Sequence, residues 1–273
     1  MEYLLGKPVA ESIKERVKNK ILGLKRKPNY VVLLNKDDSS SVGYVASQRK
    51  LANELGIEFT LIEVDPSYED YFNKINEVNQ NKNVDAVLIT RPLFKGADEK
   101  KILSLIDPNK DVDAINPISL GKLFMDNALF ASATAEAVIE MIDYYNIDVS
   151  GKKVLVIGRS LSVGKSASML LLKKNATVTI AHSRSKDFES LYKNAEIIIV
   201  AVGKKELIDT SEMNKETIVI DCGIHYTQDG IFGDVKISDN VKMISKVPGG
   251  IGPITSALIM EHVLKCYMVN NND

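Results

Sequence analysis

The feature that most constrains this chain is the order in which two kinds of segment follow one another. Short runs such as Tyr30-Val31-Val32-Leu33-Leu34, Ala86-Val87-Leu88-Ile89, Ile197-Ile198-Ile199-Val200 and Ile218-Val219-Ile220 are apolar at every position. Such a run has no solvent face, so it suits a strand covered on both sides. Between the runs lie stretches whose apolar residues return every three or four positions, as in Val9, Ile13, Val17 and Ile21. Strands buried on both faces and alternating with amphipathic helices are the sign of parallel sheets wrapped by helices, an α/β architecture.

Two such units can be read. In the first, a helix from about Gly43 to Leu55 ends at Gly56, a strand runs from Phe59 to Val64, a helix from Tyr68 to Val78, and Ala86–Ile89 closes a βαβαβ pattern. The polar stretch Asp107-Pro108-Asn109-Lys110-Asp111-Val112-Asp113 follows, where α/β proteins place ligand loops. The second unit begins after Ser150-Gly151: Lys153-Val154-Leu155-Val156-Ile157 leads into Gly158, a helix is expected from Val163 to Lys173, and Val178-Thr179-Ile180 is the next strand. A last helix is expected from Pro253 to about Val269, followed by a frayed Asn-Asn-Asn-Asp tail. A chain of 273 residues is long enough for two domains or one large one.

Composition excludes several classes. With 45% hydrophobic and 26% charged residues the chain reads as globular, and 35 basic against 36 acidic residues provide no global field for nucleic acid. No apolar stretch approaches the ~20 residues of a membrane span, and the first residues lack a basic segment followed by a long apolar run, so the cytoplasm is the expected location. Cys222 and Cys266 sit in apolar segments and read as reduced packing thiols. His182, His225 and His262 show no metal-ligand spacing, so no metal is expected.

Gly158-Arg159-Ser160-Leu161-Ser162-Val163-Gly164 lies between a strand and a helix, the setting in which backbone N–H groups at a helix start bind a diphosphate. Arg159 stands where the usual second glycine of such a turn would be, so a tight packing turn is the alternative. Where NAD-selective sites carry an acid at the end of the next strand, this chain has Ala181-His182-Ser183-Arg184-Ser185. Arg159, Ser183 and Arg184 offer the donors that a 2′-phosphate needs, which favours NADP, although Arg184 can also be read as a solvated loop charge.

Together with Asp221-Cys222-Gly223-Ile224, Gly233-Asp234-Val235, Lys110-Asp111-Val112-Asp113 and Val247-Pro248-Gly249-Gly250-x-Gly252-Pro253-x-Thr255, these segments resemble the methylenetetrahydrofolate dehydrogenase/cyclohydrolase family over nearly the whole chain. The resemblance implies a catalytic domain of residues 1–134 completed by 253–273, a Rossmann-like NADP-binding domain of residues 135–252, folate in the cleft between them, and a homodimer. It implies that Tyr44 stacks on the folate and that Asp113 accepts hydrogen bonds from the pterin. It places Pro248, Gly249, Gly250, Ile254 and Thr255 by the substrate. On the cofactor it places Gly158, Arg159, Ser160, Val163, Gly164, His182, Ser183, Arg184, Val202, Gly203, Cys222, Gly223 and Ile224.

Departures from the family matter as much. Its bifunctional members carry a lysine one helical turn after the tyrosine, where this chain has Gln48, and a glutamine partner for that lysine, where it has Thr90. Hydride transfer from the methylene bridge needs placement, whereas cyclohydrolysis needs a side chain that titrates, which an amide does not do. A dehydrogenase with weakened or lost cyclohydrolase activity is therefore expected. Arg91 is expected to project away from Thr90 if the strand stays regular. Ala114 stands for a glycine, Ser166 for a proline and Ala135 for another, changes expected to loosen the backbone. The alternatives are a bifunctional enzyme with a substitute relay, a shikimate-type dehydrogenase and a non-catalytic folate- or NADP-binding protein.

Overall fold

A computed structural model describes residues 1–238 and 240–271. In chain order the elements are β1 (Glu2–Leu4), α1 (Gly6–Ile21), β2 (Asn29–Asn35), α2 (Val42–Leu55), β3 (Glu58–Val64), α3 (Tyr68–Gln80), β4 (Ala86–Ile89), α4 (Glu99–Leu103), α5 (Pro117–Phe124) and α6 (Ala133–Tyr144). There follow β5 (Lys153–Ile157), a π-helical turn at Leu161–Lys165, α7 (Ser166–Lys173), β6 (Thr177–Ala181), α8 (Phe188–Asn194), β7 (Ile197–Val200) and β8 (Ile208–Asp209). The rest comprises β9 (Ile218–Asp221), the hairpin strands β10 (His225–Thr227) and β11 (Gly230–Phe232), β12 (Val235–Lys236), β13 (Met243–Ser245) and α9 (Ile251–Asn271).

The chain divides into two compact units, Ser12–Phe130 with the chain from Ala257 on, and Met1–Glu11 with Ala131–Ser256. In the first, β2, β3 and β4 form a parallel sheet of order β3-β2-β4, and the backbone of Lys110–Val112 extends it through a bridge between Val87 and Asp111. Val31 and Leu33 on one face of β2 pack with Tyr71, Ile75 and Val78 of α3, so Tyr30 and Val32 point to the opposite face. Gly56, with φ +82°, closes α2 in the left-handed conformation that a helix end favours.

In the second unit six strands pair in parallel in the order β1-β13-β9-β7-β5-β6. Ile198, Val200, Val219 and Ile244 form the middle of its core. Here the expected boundaries differ from the observed ones. Residues 1–11 join the larger sheet because β1 pairs with β13 and Gly6 N–H donates to Gly249 O at 2.7 Å, a long-range pairing that three residues cannot announce.

Three further expectations meet the structure differently. The helix after the glycine turn begins as a π-helical turn at Leu161 before α7 proper. The tail expected to fray is held at Asn270 and Asn271, whose amides donate to Asp85 O and Asp85 Oδ1, each at 3.0 Å, while Asn272 and Asp273 lie outside the described residues. Ala114 does not loosen its loop, because its φ of +50° is in the left-handed region, which a Cβ disfavours by ~1–2 kcal/mol. Ala114→Gly is therefore expected to stabilise the protein by about 1 kcal/mol and to raise Tm by a few degrees, as calorimetry would show. An unchanged or lower Tm would contradict this.

Asp111, in the same loop, is buried. Burial raises its pKa to about 6, although the N–H groups of Asn116 at 2.7 Å and Asp113 at 3.2 Å stabilise its charge. With the native value above the unfolded one, the folded state holds the proton more tightly. This stabilisation is complete below the unfolded pKa and is lost as pH rises through about 6. Relative to Asp111→Asn, the wild type should lose on the order of 2 kcal/mol in urea unfolding between pH 4 and 7; a gain over that interval would refute the assignment.

Candidate active site

In the second unit the strand order β6-β5-β7 makes the carboxyl end of β5 a switch point, where β5 is flanked by strands reached through opposite crossovers. Gly158 occupies it with φ +126°, and a Cβ there would lie 2.1 Å from Ala201 O. Gly164 presses on the same turn: its Cβ would lie 2.2 Å from Gly158 O. The seven-residue spacing thus brings strand, turn and helix closer than any side chain permits. Ser160 caps the turn, its Oγ accepting from Val163 N at 3.2 Å and Gly164 N at 3.4 Å, and Ser132 Oγ donates to Ser162 O. Arg159 and Ser160 are exposed beside it.

Next to this turn, the end of β6 folds into a second one. His182 N–H donates to Ser185 Oγ at 3.0 Å, and Arg184 N–H to His182 Nδ1 at 3.2 Å, so the His182 ring shapes the loop. Ser183 and Arg184 are exposed on it, with no acidic residue between Ala181 and Ser185.

Two buried aspartates hold the neighbouring loops. Asp234 accepts from the N–H groups of Val202, Gly203 and Lys204 at 2.7, 2.9 and 2.9 Å, and meets His225 Nε2 at 2.8 Å. Asp221 accepts from Gly223, Asp234 and Val235 at 2.8, 3.1 and 2.9 Å, and burial raises its pKa to about 6. The N–H groups of Val202 and Gly203 are thereby engaged, so these residues offer a ligand a loop surface. Burial pushes the Cys222 thiol up, and both cysteines are free. Ile224 is exposed beside Gly223. The sequence pointed to Gly233-Asp234-Val235 as a motif but not to its work, because the partners lie about 30 residues away. Close by, Gly249 O accepts from Gly6, Pro248 and Gly249 are exposed, Gly250 and Ile254 are buried, and Thr255 Oγ1 donates to Ile251 O at 3.2 Å.

The first unit carries the remaining candidates. Tyr44 and Gln48 are one turn apart on α2. Tyr44 is 39% exposed, yet its hydroxyl end is enclosed: burial raises its pKa, Asp113 adds to the rise and Arg91 opposes it. Gln48 is 0% exposed, and neither Oε1 nor Nε2 has a hydrogen-bond partner among the described residues. Thr90 is buried with its Oγ1 3.3 Å from Leu33 O, to which it donates.

β4 ends at Ile89, so strand alternation does not fix the direction of Arg91. Its Nη2 donates to Asp113 Oδ2 at 2.8 Å, with side chains 35% and 15% exposed, so a cation faces the aspartate expected to meet the pterin. His262 is buried, bonded to Val112 O at 2.8 Å and stacked on Phe130, which gives it a packing role. Among the described residues no group of His, Cys, Asp or Glu is placed to hold a metal, and no helix is long and apolar enough to cross a membrane.

Comparison with known proteins agrees with this geometry. Residues 4–113 match the model of the tetrahydrofolate dehydrogenase/cyclohydrolase catalytic domain, and residues 132–271 that of the NAD(P)-binding domain of the same family. The bifunctional protein FolD of Clostridium beijerinckii is 39% identical, with 98% of this chain and 99% of the relative covered. The bifunctional 5,10-methylenetetrahydrofolate dehydrogenase/cyclohydrolase of Thermoplasma acidophilum superposes with a TM-score of 0.94 at 31% identity, covering 100% of both chains. The dehydrogenase-cyclohydrolase of Trypanosoma brucei, solved with NADP and an inhibitor, gives 0.91 at 25% identity, covering 98% of this chain and 97% of its own. With two family domains matched in order, and with a relative 39% identical over nearly the whole chain, the chain belongs to the tetrahydrofolate dehydrogenase/cyclohydrolase family.

Proposed function

We propose that this protein oxidises 5,10-methylenetetrahydrofolate to the methenyl form with NADP, and that it hydrolyses the methenyl product weakly or not at all. The observation that carries the second half is Gln48, fully enclosed, with an amide in the position where the reaction calls for a titrating group. NADP fits the chain's own residues: the glycine turn leads from β5 into a helix start, where backbone N–H groups suit a diphosphate, and Arg159, Ser183 and Arg184 are exposed donors beside it. Bound there, the nicotinamide supplies the carbon that accepts the hydride. On the folate side, Tyr44 offers its ring and Asp113 an acceptor, and Arg91 holds the Asp113 carboxylate from one side.

The pair Arg91–Asp113 also supports a second reading, in which the enzyme is bifunctional, as its relatives are named. Against it, a guanidinium stays protonated and does not pass a proton back and forth. The two are separated by following nicotinamide absorbance with methylenetetrahydrofolate and either NADP or NAD, and then methenyltetrahydrofolate decay without cofactor. Turnover with NADP and decay at the spontaneous rate are expected; enzymic decay that Gln48→Ala removes would favour the bifunctional reading, and no turnover would end both. A cytoplasmic homodimer belongs to the same proposal, with light scattering expected to give twice the 30.2 kDa chain mass.

A further inference from the structure

Tyr30 on β2 does not belong to the α3 face of its sheet, since its neighbours Val31 and Leu33 occupy that face. Its ring meets Phe59 edge-on at 5.5 Å, and Phe59 in turn carries the Arg49 guanidinium 5.3 Å above its face, which sets Tyr30 beneath α2. Gln48 precedes Arg49 and turns inward from the same helix. The Tyr30 side chain is completely buried, and its hydroxyl has no hydrogen-bond partner among the described residues, as is true of both polar atoms of Gln48.

Buried polar atoms are paired in nearly all folded proteins, and an orphan carries its desolvation penalty uncompensated. A phenylalanine would keep the edge contact with Phe59 without that penalty. Burial, then Tyr44 and then Asp113 push the Tyr30 phenol well above its ordinary value, so it stays protonated. A protonated phenol and an amide each both donate and accept.

We propose that the Tyr30 hydroxyl is a substrate-positioning group which, with the Gln48 amide, forms an uncharged pair that receives polar atoms of the bound folate. The proposal rests on the folate reading above and extends it to a strand residue that belongs to none of the family's motifs. It gives both buried side chains the hydrogen-bond partners that they lack among the described residues.

Calorimetric titration with tetrahydrofolate tests it without any catalytic step. Tyr30→Phe is expected to raise Kd for tetrahydrofolate five- to twentyfold, to leave NADP affinity unchanged, and to keep or raise Tm because an orphan hydroxyl has been removed. Gln48→Leu should weaken binding similarly, and the double variant should lose less than the product of the two single losses, as expected of groups sharing one ligand. Wild-type affinity in Tyr30→Phe overturns the inference, as does a lowered Tm with unchanged affinity, which would mark a packing role. Wild-type protein that fails to bind tetrahydrofolate would instead end the folate reading on which this one rests.

Discussion

Gln48→Lys should accelerate hydrolysis of methenyltetrahydrofolate by a hundredfold or more, in line with the ~10²–10⁴ that a positioned proton carrier contributes. The substituted side chain would start one turn after Tyr44, on a helix face that is fully enclosed at this position. An ammonium there is desolvated, and desolvation moves its pKa down toward the working range. The same desolvation should lower Tm by several degrees. Thr90→Gln supplies an amide partner and should return part of that stability while raising the rate again. Loss of methenyl absorbance measures the outcome; a folded double variant no faster than wild type would show that something other than residue 48 limits hydrolysis.

Gly164→Ala is expected to raise the Kd for NADP about a hundredfold. The added methyl would sit 2.2 Å from Gly158 O, 2.6 Å from Gly158 C and 2.9 Å from Arg159 N, all backbone atoms with no side chain to swing aside. The start of the helix must therefore move by about an ångström relative to the turn, and displacements of that size at a binding site cost ~10²-fold. Gly121→Ala is the control, since nothing lies within 4 Å of its added methyl and alanine favours the helix there. NADP titration by fluorescence, with circular dichroism to confirm the fold, decides the matter; wild-type affinity in Gly164→Ala would mean that the turn is not the diphosphate cradle.

What the sequence disclosed follows the range of the interactions concerned. The parallel sheets were legible because a strand covered on both faces needs an unbroken apolar run, and Gly56 because a helix end needs a left-handed residue. The Gly158–Gly164 turn was visible for the same local reason. The pairing of Arg91 with Asp113 was not legible because it joins residues 22 apart beyond the end of β4, where alternation no longer sets direction. Ala114 was misread because an alanine betrays nothing of its φ. The grip of Asp234 on residues 202–204 and the pairing of β1 with β13 depend on segments far apart in the chain, and motif spacing does not encode them.

The last helix has a consequence for how the molecule is made. Ala257, Leu258, Ile259 and Met260 are buried in succession, so this part of α9 is enclosed on every side, and from Ala257 on it belongs with the strands and helices of Ser12–Phe130. More than a hundred amino acids of the other unit are translated in between. On the ribosome, the half that emerges first therefore waits with an open wall until the half that emerges second has been made, and a message cut short before codon 257 would yield a nucleotide-binding half that matures beside a partner unable to close.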